Sequence, residues 1–420
     1  MKRSFATQSA KRSIHLARRT ATLRSNVIRD MLAIASQPDM ISLGGGNPAR
    51  ESFPVTEMSQ LTTDVMLRHG STALQYSDTQ GFWPLRLALS EWLGQQQIPV
   101  APENLLITSG SQSALDILAK TLIDDHGTVI GEQPTYLGAL QAFSLFAPKW
   151  RFLAEDADGP LPEDLKRHLT AEDIEAPPTL YVMPAFRNPT GQSWSDERIS
   201  QIATTLKNDG NWVIEDDPYR LLRYGTSPPP PLKTLLPEQT IYIGTLSKVF
   251  APGLRLGYCA APDVLMPWLV KAKQGTDLNT GTLTQALAAE YLTSGRLDAN
   301  LPTILAVYRA KRDALATALY QYLPHDFTFN IPSGGMFLWV SGPPGFDSEN
   351  FLPFAIREGV FFVPGTAFFD GNGATQCITE HQRAMRLNFS APEMERLPIA
   401  AKRLGKALDA YTKQCFPGVT

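Results

Sequence analysis

The stretch "YIGTLSKVFAPGLRLGY", Tyr242 to Tyr258, decides the reading of this chain. An apolar run of strand character ends in two hydroxyls, Thr245 and Ser247, and then a lysine, Lys248. "APG" turns the chain, and Arg255 returns seven residues after the lysine, ahead of a second apolar run. A lysine at a strand-to-loop junction is ordinarily a solvated surface residue. The residues at the ends of the other apolar runs change that reading.

Those runs alternate with helical patterns. "NLLITSG" (104–110) reads as a short buried strand ending in a glycine turn, and "SQSALDILAKTLI" follows with apolar residues at 114, 115, 118, 119 and 122. "TVIGE", "TLYVMP", "WVIEDD", "TIYIGT" and "LGYCAA" are further short strands, with helical stretches such as 195–208 between some of them. This alternation predicts an α/β fold with a mainly parallel sheet covered on both faces. "GTSPPPPLK" (225–233) is expected to be a surface loop, because proline excludes helix interior and central strand. A long helical stretch, about 299–322, precedes "FTFNIPSGGMFLWVSG", which reads as strand, turn, strand. The change near residue 295 is the expected boundary between a large domain, 41–295, and a small α+β C-terminal domain, 296–420.

Composition excludes several classes. The net charge is −3, which argues against bulk binding to nucleic acid or acidic membranes. No run approaches 18 uninterrupted apolar residues, so no membrane span is expected. Cys259, Cys377 and Cys415 form no CxxC pair, so neither a disulfide framework nor a thiolate metal site is expected. Residues 1–29 hold eight of the 38 basic residues and no acid, leaving 30 basic against 41 acidic, or −11, for the remainder. Such a start is either a solvated arm on a cytoplasmic protein or a mitochondrial transit peptide.

Ligands of parallel α/β sheets gather beyond the carboxyl ends of the strands. Past 105–108 come Gly110, Ser111 and Gln112, opening a helix whose free N–H groups suit a phosphate. Past "TLYVMP" comes Asn188, in "AFRNPTG". Past "WVIE" come Asp216 and Tyr219; strand alternation puts Asp216 with Ile214 and Trp212, and Glu215 and Asp217 on the other face. Each has an ordinary alternative: a helix cap, a plain turn, a surface amine. Together, a phosphate cradle, an amide, a carboxylate with a phenol, an amine and a guanidinium fit a phosphorylated pyridine aldehyde bound to lysine.

At these residues the chain resembles the fold-type I, class I/II pyridoxal-phosphate (PLP) aminotransferases. It looks most like the subgroup of 2-aminoadipate and kynurenine aminotransferases and the aminotransferase-like domains of MocR-type regulators. The matching motifs are "ISLGGGNP", "LQYSDTQG", "ITSGSQSALD", "EQPTYLGALQ", "NPTG", "IEDDPY", "GTLSKVFAPGLRLGY", "GGMFLWV", "VPGTAFF" and "MRLNFS". They span Ile41 to Ser390 in the family's order.

The resemblance implies a large domain with a seven-stranded sheet between helices, a small C-terminal domain, and an arm with a mobile helix over 1–40. It implies pyridoxal 5'-phosphate on Lys248 as a Schiff base, with Lys248 also moving the proton. Asp216 would pair with the pyridine nitrogen, Asn188 and Tyr219 with the ring oxygen, and Tyr136 would stack on the ring. Gly110, Ser111, Gln112, Thr245, Ser247 and Arg255 would cradle the phosphate. Arg386, in "MRLNFS", would grip the substrate α-carboxylate, with Gly45, Asn188 and Arg29 also at the substrate. Tyr76 would reach the phosphate of a neighbouring subunit, implying a homodimer with shared sites. The implied reaction moves an amino group from an amino acid to a 2-oxo acid, often 2-oxoglutarate, by ping-pong kinetics. No nucleic acid or membrane partner is implied.

Two rivals share the scaffold: another PLP reaction (lyase, racemase, decarboxylase or oxidase), and a PLP-sensing regulator. The regulator would need a DNA-binding domain, and the roughly 40 residues ahead of "ISLGGGNP" are expected to be too few. The chain departs from the family pattern at Gly46-Asn47, where a leucine commonly precedes proline, at Arg187, where glutamine is usual, and at Asn279, where histidine or cysteine is common. Arg187 is expected to be a surface or loop residue.

Overall fold

A computed structural model describes residues 15–23, 37, 39–174, 176–207, 210–370 and 378–415. Seven strands form one sheet in the order 105–108, 257–260, 240–245, 213–216, 179–182, 128–131, 149–152. All pair in parallel except Gly257–Ala260, which runs antiparallel to both neighbours. The carboxyl ends of the parallel strands therefore open at one edge of the sheet.

Alternation along the strands sorts side chains onto two faces. Ile130, Leu180, Val182 and Val213 face one way, packing with Leu165, Ile199, Ile202 and Leu206 from the helices Pro162–Leu169 and Asp196–Leu206. Val129, Tyr181, Ile214, Ile241 and Ile243 belong to the larger core on the other side, with Leu115, Leu118 and Leu287. Burial of each such side chain contributes about 1.5–3 kcal/mol, so two filled faces fix the register at every strand mouth.

The helix Thr282–Thr293 leads into the long helix Arg296–Tyr322, and an antiparallel sheet follows in the order 328–329, 337–341, 384–388, 363–364. Pairing joins the first residues of the expected large domain, 41–295, to the expected C-terminal one, 296–420. Ile41–Ser42 runs parallel to Val360–Phe361, Leu43 donates its N–H to Phe361 O at 2.7 Å, and Asn388 donates its N–H to Leu43 O at 2.6 Å. The start of the expected large domain is thus stitched to the C-terminal sheet, which brings residues 44–48 over the strand mouths. Among the described residues, no helix is long and apolar enough to cross a membrane. Arg29 and Cys377 lie outside the described residues.

The proline-rich segment corrects one expectation. It does not stay an open surface loop up to residue 233: Leu232–Leu235 is a helical turn, and Leu232 and Lys233 are buried. The cause is Glu215, which accepts the N–H groups of Leu232 at 3.0 Å and Lys233 at 2.9 Å. Lys233 Nζ in turn donates to Pro237 O and Thr240 O, at 2.7 and 2.9 Å. Glu215 is therefore spent on the face away from Asp216. Glu215→Ala strands two buried N–H groups, each costing about 1–3 kcal/mol. We expect a lower melting temperature with turnover of the folded protein changed only a few-fold; a thermal melt paired with a turnover assay checks this.

Candidate active site

The strand mouths surround a cavity of about 200 Å³. Its walls include Gly46, Ser111, Gln112, Tyr136, Asp216, Tyr219, Thr245, Ser247, Lys248 and Arg255. Most of the residues singled out in the sequence meet here, from five strand mouths and the 44–48 loop.

Two glycines allow the anion-binding corner to close. Gly110 has φ +83°, and a Cβ there would lie 2.4 Å from Arg255 Nη2. A Cβ on Gly257 would lie 2.6 Å from Ser111 N. Only glycine lets the Arg255 turn press against the start of the helix Ser111–Leu122, whose first N–H groups have no helical acceptor. Thr245 Oγ1 donates to Leu256 O at 3.0 Å and lies 3.0 Å from Ser247 Oγ, so both hydroxyls sit beside the same corner. A guanidinium, two hydroxyls and a helix N-terminus make a cradle suited to a phosphate. Gln112 lines the cavity, but its Nε2 is committed to Gly138 O at 2.8 Å.

Asp216 ends the strand Val213–Asp216 and is 1% exposed. Its Oδ2 accepts the Tyr181 hydroxyl at 2.9 Å, and its Oδ1 is buried with no partner among the described residues. Burial pushes its carboxyl up to about 7; the Tyr181 bond and Lys248 oppose the rise, and Asp217 adds to it. Asp217 itself is tied up by Arg220 and by Tyr242, whose hydroxyl donates at 3.1 Å. A buried carboxylate oxygen without a donor suits a protonated ring nitrogen. Tyr181 has no part in the sequence reading. Its only signal is a phenol inside "TLYVMP", out of phase with Leu180 and Val182.

Lys248 Nζ donates to Gly46 O at 2.9 Å. Burial, then Arg255 and Arg386, bring its amine down to about 8, with Asp216 opposing. Tyr136 lines the cavity, its phenol pushed up to about 12 chiefly by burial. Tyr219 bonds Asn188, and Arg386 Nη1 donates to Asn188 Oδ1 at 2.9 Å. Asn188 thus stands one hydrogen bond back from the cavity wall, through Tyr219, and Arg386 two. Arg386 is 2% exposed, donates to Gly44 O, and lies over the rings of Phe337 and Phe368 at 4.3 and 4.9 Å. Its Nε has no partner, and no carboxylate among the described residues pairs with it. Burial lowers its guanidinium to about 10.

Other expected site residues fall outside the cavity. Gly45 is half-buried between the two glycines whose carbonyls hold Arg386 and Lys248. Tyr76 is 79% exposed and is not brought to the cavity of its own chain. Asn279 donates to Thr280 O and does not line the cavity. Arg187 is a correction. It lies in a loop but is buried, not at the surface, because Glu132 and Glu155 both pair with its guanidinium.

The raised carboxyl of Asp216 has a consequence for the protein without ligand. Its folded value, about 7, exceeds the ordinary 3.8. Its stability contribution is therefore complete below pH 3.8 and is lost as pH rises through about 7. A neutral isostere escapes that loss. Asp216→Asn should melt higher than the parent above pH 7, with the gap shrinking as pH falls toward 4; melting curves across pH check the sign.

Residues 38–404 match the model of the family described as aminotransferase class I and II. The chain is 36% identical to aromatic-amino-acid aminotransferase 1 of Thermococcus litoralis, over 93% of each chain. It is also 36% identical to the 2-aminoadipate transaminase of Thermus thermophilus, over 92% of this chain and 94% of that one. The crystal structure of the α-aminoadipate aminotransferase of Thermus thermophilus, complexed with N-(5'-phosphopyridoxyl)-L-leucine, superposes with a TM-score of 0.86 at 35% identity, covering 95% of this chain and 98% of that one. The unpartnered Asp216 oxygen and the glycine-built anion corner suit the cofactor of that family, pyridoxal phosphate. The chain belongs to the class I and II aminotransferases, PLP-dependent transferases of fold type I.

Proposed function

We propose that this aminotransferase moves the α-amino group of an amino acid to a 2-oxo acid, 2-oxoglutarate being the expected acceptor, in two half-reactions of a ping-pong cycle. The observation that carries the substrate assignment is Arg386, a buried guanidinium with no acidic partner among the described residues. A buried cation calls for an anion, and both an amino acid and a 2-oxo acid bring an α-carboxylate.

When bound, pyridoxal phosphate supplies the electron sink for the electron pair left at the substrate's Cα. Lys248 would hold its aldehyde carbon and Asp216 its ring nitrogen. Asn188 and Tyr219 would meet its ring oxygen, and Tyr136 would pack on its ring. Gly110, Ser111, Gln112, Thr245, Ser247 and Arg255 would cradle its phosphate. Bringing the amine down from 10.5 to about 8 makes its neutral, proton-accepting form far more accessible near neutral pH than in an ordinary lysine, so Lys248 Nζ can take the Cα proton and return it. Arg386 would fix the α-carboxylate, with Asn188 fixing Arg386 in turn. Arg29 and Gly45 would border the substrate.

The exposed Tyr76 fits a homodimer in which it completes the phosphate site of the second subunit. We place the boundary between a large and a small domain near residue 295 and the protein in the cytoplasm. Two adjoining units with Arg386 on the C-terminal sheet favour closure on binding.

The test is a half-reaction. Amino acids are added singly to the loaded protein without an oxo acid. One stoichiometric transfer, followed by turnover only when an oxo acid is added, is the expected result. Continuous product release without an acceptor would point instead to lyase, decarboxylase or oxidase chemistry. Losing the carboxylate pair costs about 2–5 kcal/mol. Arg386→Ala should therefore lower kcat/KM roughly 30- to several thousand-fold for donors and acceptors alike, with cofactor content intact. Arg386→Lys should recover little, since one ammonium cannot replace the planar fork.

A further inference from the structure

The reaction above gives Arg187 no role, yet it is buried and doubly ion-paired. Its guanidinium makes a two-pronged bond with Glu155: Nη1 to Oε2 at 2.7 Å and Nη2 to Oε1 at 2.8 Å. Nη1 also donates to Glu132 Oε1 at 2.8 Å. Glu132, at the end of the strand Thr128–Gly131, further accepts Trp194 Nε1 and Met183 N, each at 2.7 Å. Glu155 belongs to a separate short hairpin, Glu155–Asp156 with Gly159–Pro160. One side chain therefore ties the 186–194 turn to two other elements.

The backbone of that turn is closed around Arg187 as well. Arg187 donates its N–H to Gln192 O at 2.8 Å, and its carbonyl accepts the Gly191 N–H at 2.6 Å. Phe186, just before it, has φ +48°, a conformation that a bulky L-residue holds only when its surroundings impose it. The next residue is Asn188, whose Oδ1 receives Arg386 Nη1 at 2.9 Å. The Asn188 side chain also meets Tyr219, but its backbone is placed by the residue beside it.

We propose that Arg187 is a positioning residue: by clamping the 186–194 turn to Glu132 and Glu155, it fixes Asn188 as the acceptor that aims Arg386 at the substrate carboxylate. This rests on reading Arg386 as the carboxylate's ligand. A glutamine at 187 can make neither the fork nor the second ion pair, and it would leave Glu132, 1% exposed, without its counter-charge. In this chain the two carboxylates and the arginine form one unit.

The test compares steady-state constants for an amino donor and an oxo acid, and inhibition by propionate, an unreactive carboxylate. For Arg187→Gln, both KM values and the propionate Ki should rise together, by roughly 10- to 100-fold, as expected for a displaced substrate-positioning group. The change in kcat should be smaller, and cofactor content should stay full. Arg187→Lys, which reaches one carboxylate, should fall between the two. Because Arg187→Gln strands buried charge and can fail to fold, a triple variant accompanies it: Arg187→Met with Glu132→Gln and Glu155→Gln. That variant removes the charge as a unit, and its KM values should remain raised even with stability restored. Parent-like KM and Ki in the triple variant would overturn the proposal. Arg386→Ala, run in parallel, separates the two readings. A raised KM there with unchanged constants in the Arg187 variants defeats positioning alone. Unchanged constants in all of them defeat the carboxylate assignment too.

Discussion

The site depends on a carboxylate that the fold buries at the cavity wall with no cation among the described residues bonded to it. Asp216 is held at the end of a central strand, with Tyr181 satisfying one oxygen and nothing among the described residues satisfying the other. Leaving such a group unpaired costs free energy in the empty protein. Proton uptake relieves it in the empty protein, and a cationic donor entering the cavity relieves it while leaving the carboxylate charged. The two acids beside it, in contrast, are structural. Glu215 anchors the turn at 232–235, and Asp217 is ion-paired, its Oδ2 accepting from both Arg220 and Tyr242. Three consecutive acids, all buried, thus have three destinations, and only one opens to the cavity.

The same economy appears in the cations. Arg187, buried, and Arg220, partly buried, have carboxylate partners and serve the scaffold. Among the described residues, Arg386 and Lys248 have only neutral acceptors: Asn188 and Gly44 for the arginine, Gly46 for the lysine. Burial pulls both towards their neutral forms. Among the described residues lining the cavity, Lys248 and Arg255 outnumber the single acid, Asp216. That imbalance suits a ligand set bearing a phosphate and a carboxylate, as the cofactor and substrates of this family do.

Six of the seven strands were legible because they are short apolar runs with helical periods between them and polar residues just past each run; the edge strand Lys149–Phe152, with Lys149 and Arg151 in it, was not. The same alternation separated Asp216 from Glu215. What the sequence hid were groups whose partners are distant in the chain. Tyr181 reads as one more apolar strand residue until Asp216 is placed against it. Arg187 reads as a loop arginine, because Glu132 and Glu155 lie 55 and 32 residues away. The pairing of Ile41–Ser42 with Val360–Phe361 spans most of the chain and has no local signature. Tyr76 shows the opposite limit: its role was implied by resemblance, and a single chain leaves it in solvent.

The central claim is that the lysine in "TLSK" is the amine that holds the cofactor, opposite Asp216. Borohydride reduction of the loaded protein, followed by peptide mapping, tests it most directly. The account predicts the reduced cofactor on Lys248, with the label lost in Lys248→Ala. Label on another lysine, such as Lys271 or Lys273, would contradict it.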